Sequence, residues 1–213
     1  MIIRTKFGIS LSLVALLITL PALAFDDPLS SSAIRDAYML GNRKDFKTSG
    51  FFARYKHSFP MPESGPYVAT ISVETPYGQI VELGEAAMNT DIQGAEERLA
   101  GKKLPFIVRV GVDATNDYPG PPPSNPHSPS VPPDFERDFT IQLVQKDKKI
   151  CPKSTQVHLL YSDAVSNIYQ ISGAVIELQY DTAGIDSYDD ATISIHTLDG
   201  QNVETSFDLG HLQ

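Results

Sequence analysis

Ala191-Thr192-Ile193-Ser194-Ile195-His196 leads through Asp199-Gly200 into Val203-Glu204-Thr205-Ser206-Phe207, and this stretch decides the fold class. Ala191, Ile193 and Ile195 alternate with Thr192, Ser194 and His196, which is the period of a strand with one apolar face. Asp-Gly supplies the positive φ angles of a tight hairpin turn, and Val203, Thr205 and Phe207 carry the returning strand. One dry face and one wet face mark antiparallel pairing rather than a parallel sheet buried on both sides.

The same period runs backwards along the chain. Tyr67, Ala69, Ile71 and Val73 alternate with Val68, Thr70, Ser72 and Glu74. Further strands are expected over 105–113, 139–145, 156–161 and 174–180. Thr75-Pro76-Tyr77-Gly78 reads as a turn with Pro at a favoured position. A strand is expected over 79–83 and a short helix over 91–99. Nearer the front the period changes to that of a helix. Leu29, Ala33, Ile34, Ala37, Tyr38 and Gly41 recur at helical spacing behind three serines that offer an N-cap. A second helical pattern follows Asp45, with Phe51, Phe52, Tyr55 and Phe59 on one side, and Pro60 ends it. The expected architecture is α+β and mostly β: an N-terminal helical hairpin packed on an antiparallel β-sandwich-like body. Residues 25–213 are expected to form one domain, with a helical segment over 29–59 and a β body over 67–210. A proline-rich loop over 118–133 holds eight of the chain's 16 prolines. Such a stretch lacks ladder donors and favours extended polyproline geometry.

The first 24 residues have the three parts of a cleavable export signal. Arg4 and Lys6 open it, an apolar run over 7–20 follows, and Pro21-Ala22-Leu23-Ala24 closes it with a small-x-small cleavage pattern. The apolar run is short for a permanent membrane anchor, which needs about 20 residues. The expected destination is therefore the periplasm or the extracellular medium, with no stable membrane span after cleavage.

Charge narrows the partners. The chain carries 17 basic and 26 acidic residues, a net charge of −9. Loss of the leader removes two basic residues and no acidic ones, leaving −11. That balance argues against nucleic acid, whose phosphates require Lys and Arg. The charge is also uneven. Six basic residues against two acidic lie between Arg35 and Lys56, whereas Ser154 to Gln213 holds nine carboxylates and no Lys or Arg. Such a region repels itself unless a cation is near. Three sources are available: the protein's own basic helices, which are preferred here, a bound divalent ion, or a basic partner.

Motifs that carry chemistry are sparse. There is no Gly-x-Ser-x-Gly elbow and no closely spaced histidine pair. Asp181, Asp186, Asp189 and Asp190 surround Gly184 between two strands, an oxygen-rich loop of the kind calcium uses, though its spacing is not that of an EF-hand. Calcium is the one cofactor this loop suggests, and no other is evident. Phe52, Tyr55 and Tyr77 belong to an aromatic group that either packs as core or presents a surface for stacking on a glycan or peptide. Cys151, the lone cysteine, is flanked by Lys149 and Lys153, the electropositive setting in which thiols react. Against this background the expected function is an exported, non-catalytic binding or structural module acting on an exported protein or a glycan. Two alternatives stand beside it. One is an exported hydrolase using carboxylates of the 181–190 loop, with or without a metal. The other is an assembly factor that offers an open sheet edge to another exported chain.

Overall fold

The computed structural model describes residues 28–63, 65–88, 91–119, 139–165, 168–197, 200 and 202–212. The leader over 1–24, most of the proline-rich loop and Asp199 of the hairpin turn lie outside the described residues. Gly200 adopts φ +83°, as the Asp-Gly turn requires.

Among the described residues, four α-helices accompany two antiparallel sheets. Helices α1 (Ser31–Asn42) and α2 (Phe46–Ala53) precede strands β1 (Lys56–Ser58) and β2 (Pro66–Glu74). Helices α3 (Pro76–Ala86) and α4 (Ile92–Leu99) lie between β2 and β3 (Phe106–Pro119). Strands β4 (Phe139–Gln145), β5 (Lys148–Ile150), β6 (Ser154–Val165), β7 (Ile168–Tyr180), β8 (Asp190–Thr197) and β9 (Asn202–Asp208) follow, with short 3-10 turns over Thr182–Gly184 and Leu209–His211. The five-stranded sheet has the order β1-β2-β3-β7-β6 and the four-stranded sheet β5-β4-β8-β9. Their inward rows share one core. Ile71, Val108, Val110, Ile176 and Tyr180 of the larger sheet and Leu143, Ile193 and Ile195 of the smaller are essentially inaccessible to water. The α+β, β-sandwich architecture expected from the alternating pattern is the one observed.

Each helix starts on a side-chain cap. Ser30 Oγ accepts from the Ala33 amide, Asp45 from Lys47 and Thr48, Thr75 from Gly78 and Asp91 from Gly94. These caps satisfy amides that have no partner inside the helix. The Thr75 cap also corrects two expectations. Thr75-Pro76-Tyr77-Gly78 is the entry to α3 rather than a β-turn, and 79–83 is helical rather than extended. Pro76 stands in the first helical turn, where its missing N–H costs nothing. Ile80, Val81 and Gly84 then form the buried stripe.

The second helix is shorter than its aromatic spacing suggested. It stops at Ala53, and Lys56–Ser58 pairs with β2 as an edge strand. In β2 the alternation slips at a register irregularity between Val68 and Thr70. Val68 is buried there and Ala69 is not, while Ile71 and Val73 keep the expected phase. A bulge adds one residue and so reverses which residues face inward.

Helix α1 rests chiefly on α3, with α2 a lesser neighbour. The α1–α3 crossing is close because glycines meet backbone there. A Cβ added at Gly41 would lie 1.9 Å from the Val81 carbonyl oxygen, and one added at Gly84 would lie 2.3 Å from that of Tyr38. The helical end is also tied to the chain's C-terminus. The buried Tyr55 hydroxyl donates to the Leu212 carbonyl at 2.8 Å, and the His57 ring meets Phe207 edge-on at 4.8 Å.

Gly41→Ala and Gly84→Ala should each force the two helices apart and cost about 2 kcal/mol or more. Gly50→Ala, in open space on α2, should instead stabilise by about 0.5–1 kcal/mol through helix propensity. Urea unfolding of the three variants checks this. Equal effects at Gly41 and Gly50 would contradict the close crossing.

Candidate functional site

The acidic loop is held by protein groups. The tight turn between β4 and β5 places Lys146 and Asp147 at φ +48° and +60°, the backbone of a type I′ hairpin. From there Lys146 Nζ reaches Asp186 Oδ2 at 2.7 Å and Asp189 Oδ2 at 3.0 Å. These hydrogen bonds, and the nearby negative charge, push the Lys146 ammonium above its usual range. The hydrogen bond from Lys146, with a backbone bond from Tyr188, holds Asp186 below the ordinary carboxylate range. Gln145, buried beneath, donates to the Asp186 carbonyl at 2.9 Å and accepts from the Asp186 amide at 2.9 Å. Asp181 pairs separately with Lys153 at 2.6 Å, and Asp190 begins β8 opposite Asp208. The four aspartates are thus divided among two lysines and a strand end. Among the described residues no three His, Cys, Asp or Glu side chains gather as metal ligands.

The cations paired with carboxylates of this region come chiefly from strands and turns, while Arg54 at the end of α2 donates to the His211 carbonyl at 3.4 Å. These cations are Lys146, Lys153 and Arg109, whereas Arg35 and Arg43 pair with Glu96 and Asp45 of the helical end. Proximity across the sheets decides the matter, since the charged turn and strand ends meet there.

The aromatic group divides. Phe51 and Tyr55 are buried, with ring centroids 4.5 Å apart. Phe52 and Tyr77 are half-buried and pack against the same core, with Phe51 edge-on to Phe52 at 5.4 Å and 6.0 Å from Tyr77. Their shared contacts are with the core. Cys151 is exposed in the β5–β6 connection.

A cluster that the sequence did not announce lies where β2, β3, β7 and α3 meet. Arg109 on β3 stands opposite Glu177 on β7 and Ser72 on β2. Its Nε donates to Glu177 at 2.9 Å, and its Nη1 contacts Glu74 and, at 3.4 Å, Glu82 of α3. Three carboxylates therefore share one guanidinium. Burial, the neighbouring Glu82 and Glu177 charges, and a carboxyl–carboxyl hydrogen bond to Glu82 push Glu74 up to about 7 against the pull of Arg109. One Glu74 oxygen is buried and has no donor among the described residues. Burial also works to raise Glu177, but hydrogen bonds from Gln179 and Arg109 outweigh it and hold that group low. The available signal was a charge at an alternate position within each apolar strand, Arg109 between Val108 and Val110 and Glu177 between Ile176 and Leu178.

A further surface is the edge of the larger sheet. Among the described residues β6 is the terminal strand of the larger sheet and pairs only with β7. β9 lies against β2, so the three-residue β5 faces the β6 side and covers little of it. Val157, Leu159 and Tyr161, on the inward face, are consequently half-buried, and Leu160 on the outward face is 39% exposed. From Ser154 to Leu160 the edge holds no Lys, Asp, Glu or Pro, the residues that ordinarily blunt a strand edge.

No protein-family model matches the sequence, and no curated protein matches it. Among solved structures, the chain is similar to an IgNAR antibody domain C1, with a TM-score of 0.30 and 10% identity over 71% of this chain and 99% of that one. It is also similar to the archaellum periplasmic stator protein FlaG from Sulfolobus acidocaldarius, with a TM-score of 0.28 and 14% identity over 48% and 85%. Superpositions this loose transfer no role. The fold is that of an α+β protein built on antiparallel, β-sandwich-like sheets.

The Glu74 cluster makes stability depend on pH. Its folded-state value lies above the ordinary 4.5, so the native protein keeps a proton that the unfolded chain releases. The contribution is complete below about pH 4.5 and lost as pH rises through about 7, a fall of up to about 3 kcal/mol. Below pH 4 stability falls again as Asp186, Asp181 and Glu177, all held low, take up protons. Urea midpoints across pH 4–8 measure this, and Glu74→Gln should flatten the upper limb. An unchanged slope in that variant would assign the effect elsewhere.

Proposed function

We propose that the protein is a non-catalytic exported module that receives an extended segment of another polypeptide along β6. The observation that carries this reading is the uncharged β6 edge from Ser154 to Leu160, overhanging a sheet whose facing strand is only three residues long. An added strand would satisfy the outer N–H and C=O groups of β6, and alternate side chains would cover Val157 and Leu159. Export follows from the leader-like pattern over 1–24. The charged groups support the same reading from another side. Lys146, Lys153 and Arg109 are engaged by carboxylates, so the Asp181–Asp190 loop and the Glu74 cluster stand as internal ties.

The test combines partner capture with hydrogen exchange on the purified protein. A partner taken from the exported fraction should slow exchange at Val157 to Leu160, and Leu160→Lys should weaken the complex at least tenfold. Because Leu160 is exposed, that variant should keep its melting temperature. Protection confined to another surface would move the binding face. Turnover of ester, peptide, glycoside or phosphoester substrates, lost in Asp186→Ala or Asp189→Ala, would make the protein a hydrolase instead.

A further inference from the structure

Opposite charges bracket the open edge of β6. Lys153 stands just before the strand and is the last cation of the chain, and the next charged residue is Asp163. No Lys, Arg, Asp or Glu lies between them, from Ser154 to Ser162, and His158 stands midway. The ladder to β7 runs without a shift from Ser154 to Leu160, so the outer N–H and C=O groups form one regular row. The rest of the surface is less favourable to like molecules, because a chain of net charge −9 repels its own copies. Along β6 that repulsion is absent.

Two identical strands paired antiparallel are related by a two-fold axis, which sets each residue opposite one equally far beyond the axis. Hydrogen bonding and side-chain direction both alternate with period two, so the axis must fall at a residue and not between two. With the axis at His158, Val157 meets Leu159 of the second copy, Gln156 meets Leu160 and Ser154 meets Ser162. Lys153 then meets Asp163 at both ends. With the axis at Val157 it would meet Tyr161, and with the axis at Leu159 it would meet Val165. The His158 register is therefore the one that joins opposite charges. It also sets the half-buried, inward-facing Val157 and Leu159 against each other, as apolar cross-strand pairs require. Lys153 Nζ already donates to Asp181 at 2.6 Å, but an ammonium has three donors and can serve both carboxylates.

We propose that the segment received along β6 is the β6 strand of a second copy of this chain, paired antiparallel about His158. The two five-stranded sheets then continue into each other. This inference rests on the reading of β6 as a strand-receiving edge and names its occupant. Such a pair is closed: each copy covers the other's edge, and no free β6 remains to recruit further chains.

Sedimentation velocity of the purified protein at physiological ionic strength should show a monomer–dimer equilibrium. Hydrogen exchange at Val157 to Leu160 should slow as the protein concentration rises. Cross-linking in a Cys151→Ser background reads the register. His158→Cys lies on the axis, where opposed Cα atoms are about 4.5–5.5 Å apart, within disulfide reach. It should give a linked dimer under copper–phenanthroline oxidation. Thr155→Cys, displaced from its counterpart by about 20 Å along the strands, should not. Asp163→Lys sets like charges opposite at both ends and should weaken the dimer about tenfold, with an unchanged circular dichroism spectrum. A monomer at every concentration whose β6 is protected by a partner from the exported fraction overturns self-pairing and leaves the strand-receiving reading standing. A monomer whose β6 nothing protects overturns both. A dimer with unchanged exchange along β6 overturns the proposal, as does equal cross-linking at positions 155 and 158 or an undiminished dimer in Asp163→Lys.

Discussion

The antiparallel pairing of β3 with β7 sets Phe106 opposite Tyr180 and Arg109 opposite Glu177. Because side chains alternate along a strand, this one register fixes two different features at once. Phe106 and Tyr180 point into the core, while Arg109 and Glu177 meet on the other face. It also brings Lys103, Leu104 and Pro105 to the side of Asp181. A slip of one residue would exchange the faces of β3, turning Arg109 into the core and exposing Val108 and Val110. The central strands thus hold both the core and the polar clusters in place, and the outer strands inherit their positions from them.

The polar clusters are joined to the fold in different ways. Lys146 acts at the surface and depends on the unusual backbone of its turn, so its pairs with Asp186 and Asp189 are geometric consequences of the β4–β5 hairpin. Arg109 acts from a half-buried strand and carries more carboxylate than it can neutralise. A proton on Glu74 relieves that imbalance, and it couples β2 to α3 through Glu82. The helical end is thereby attached to the sheets by an ionisable contact as well as by the apolar contacts of α1, α3 and Tyr55.

Two glycines have an equally specific role. Gly41 and Gly84 allow α1 and α3 to approach until backbone meets backbone, which is a packing requirement and involves no special φ angle. Helical periodicity alone placed α1. It could not show that α1 would choose α3 over the adjacent α2, because that choice depends on matching surfaces some 40 residues apart.

Much of the fold was legible in the chain. The period-2 pattern located every long strand, and the caps and helical spacing located α1, α2 and α4, because these are local properties of backbone sterics and hydrogen bonding. α3 was misread because Thr-Pro-x-Gly serves a turn and a helix start equally well, and only the packing of Ile80, Val81 and Gly84 against α1 selects between them. The bulge in β2 was hidden for a similar reason, since an added residue is visible only against its partner strand. The acidic residues and lysines were all countable in the sequence, yet their pairing was not. Charges choose partners by distance, and distances between residues such as Arg109 and Glu177 or Lys103 and Asp181 exist only once the strands have found their register. Composition and period determined what kind of protein this chain makes; the tertiary structure alone decided which groups face one another, because facing is a matter of register and packing between distant segments.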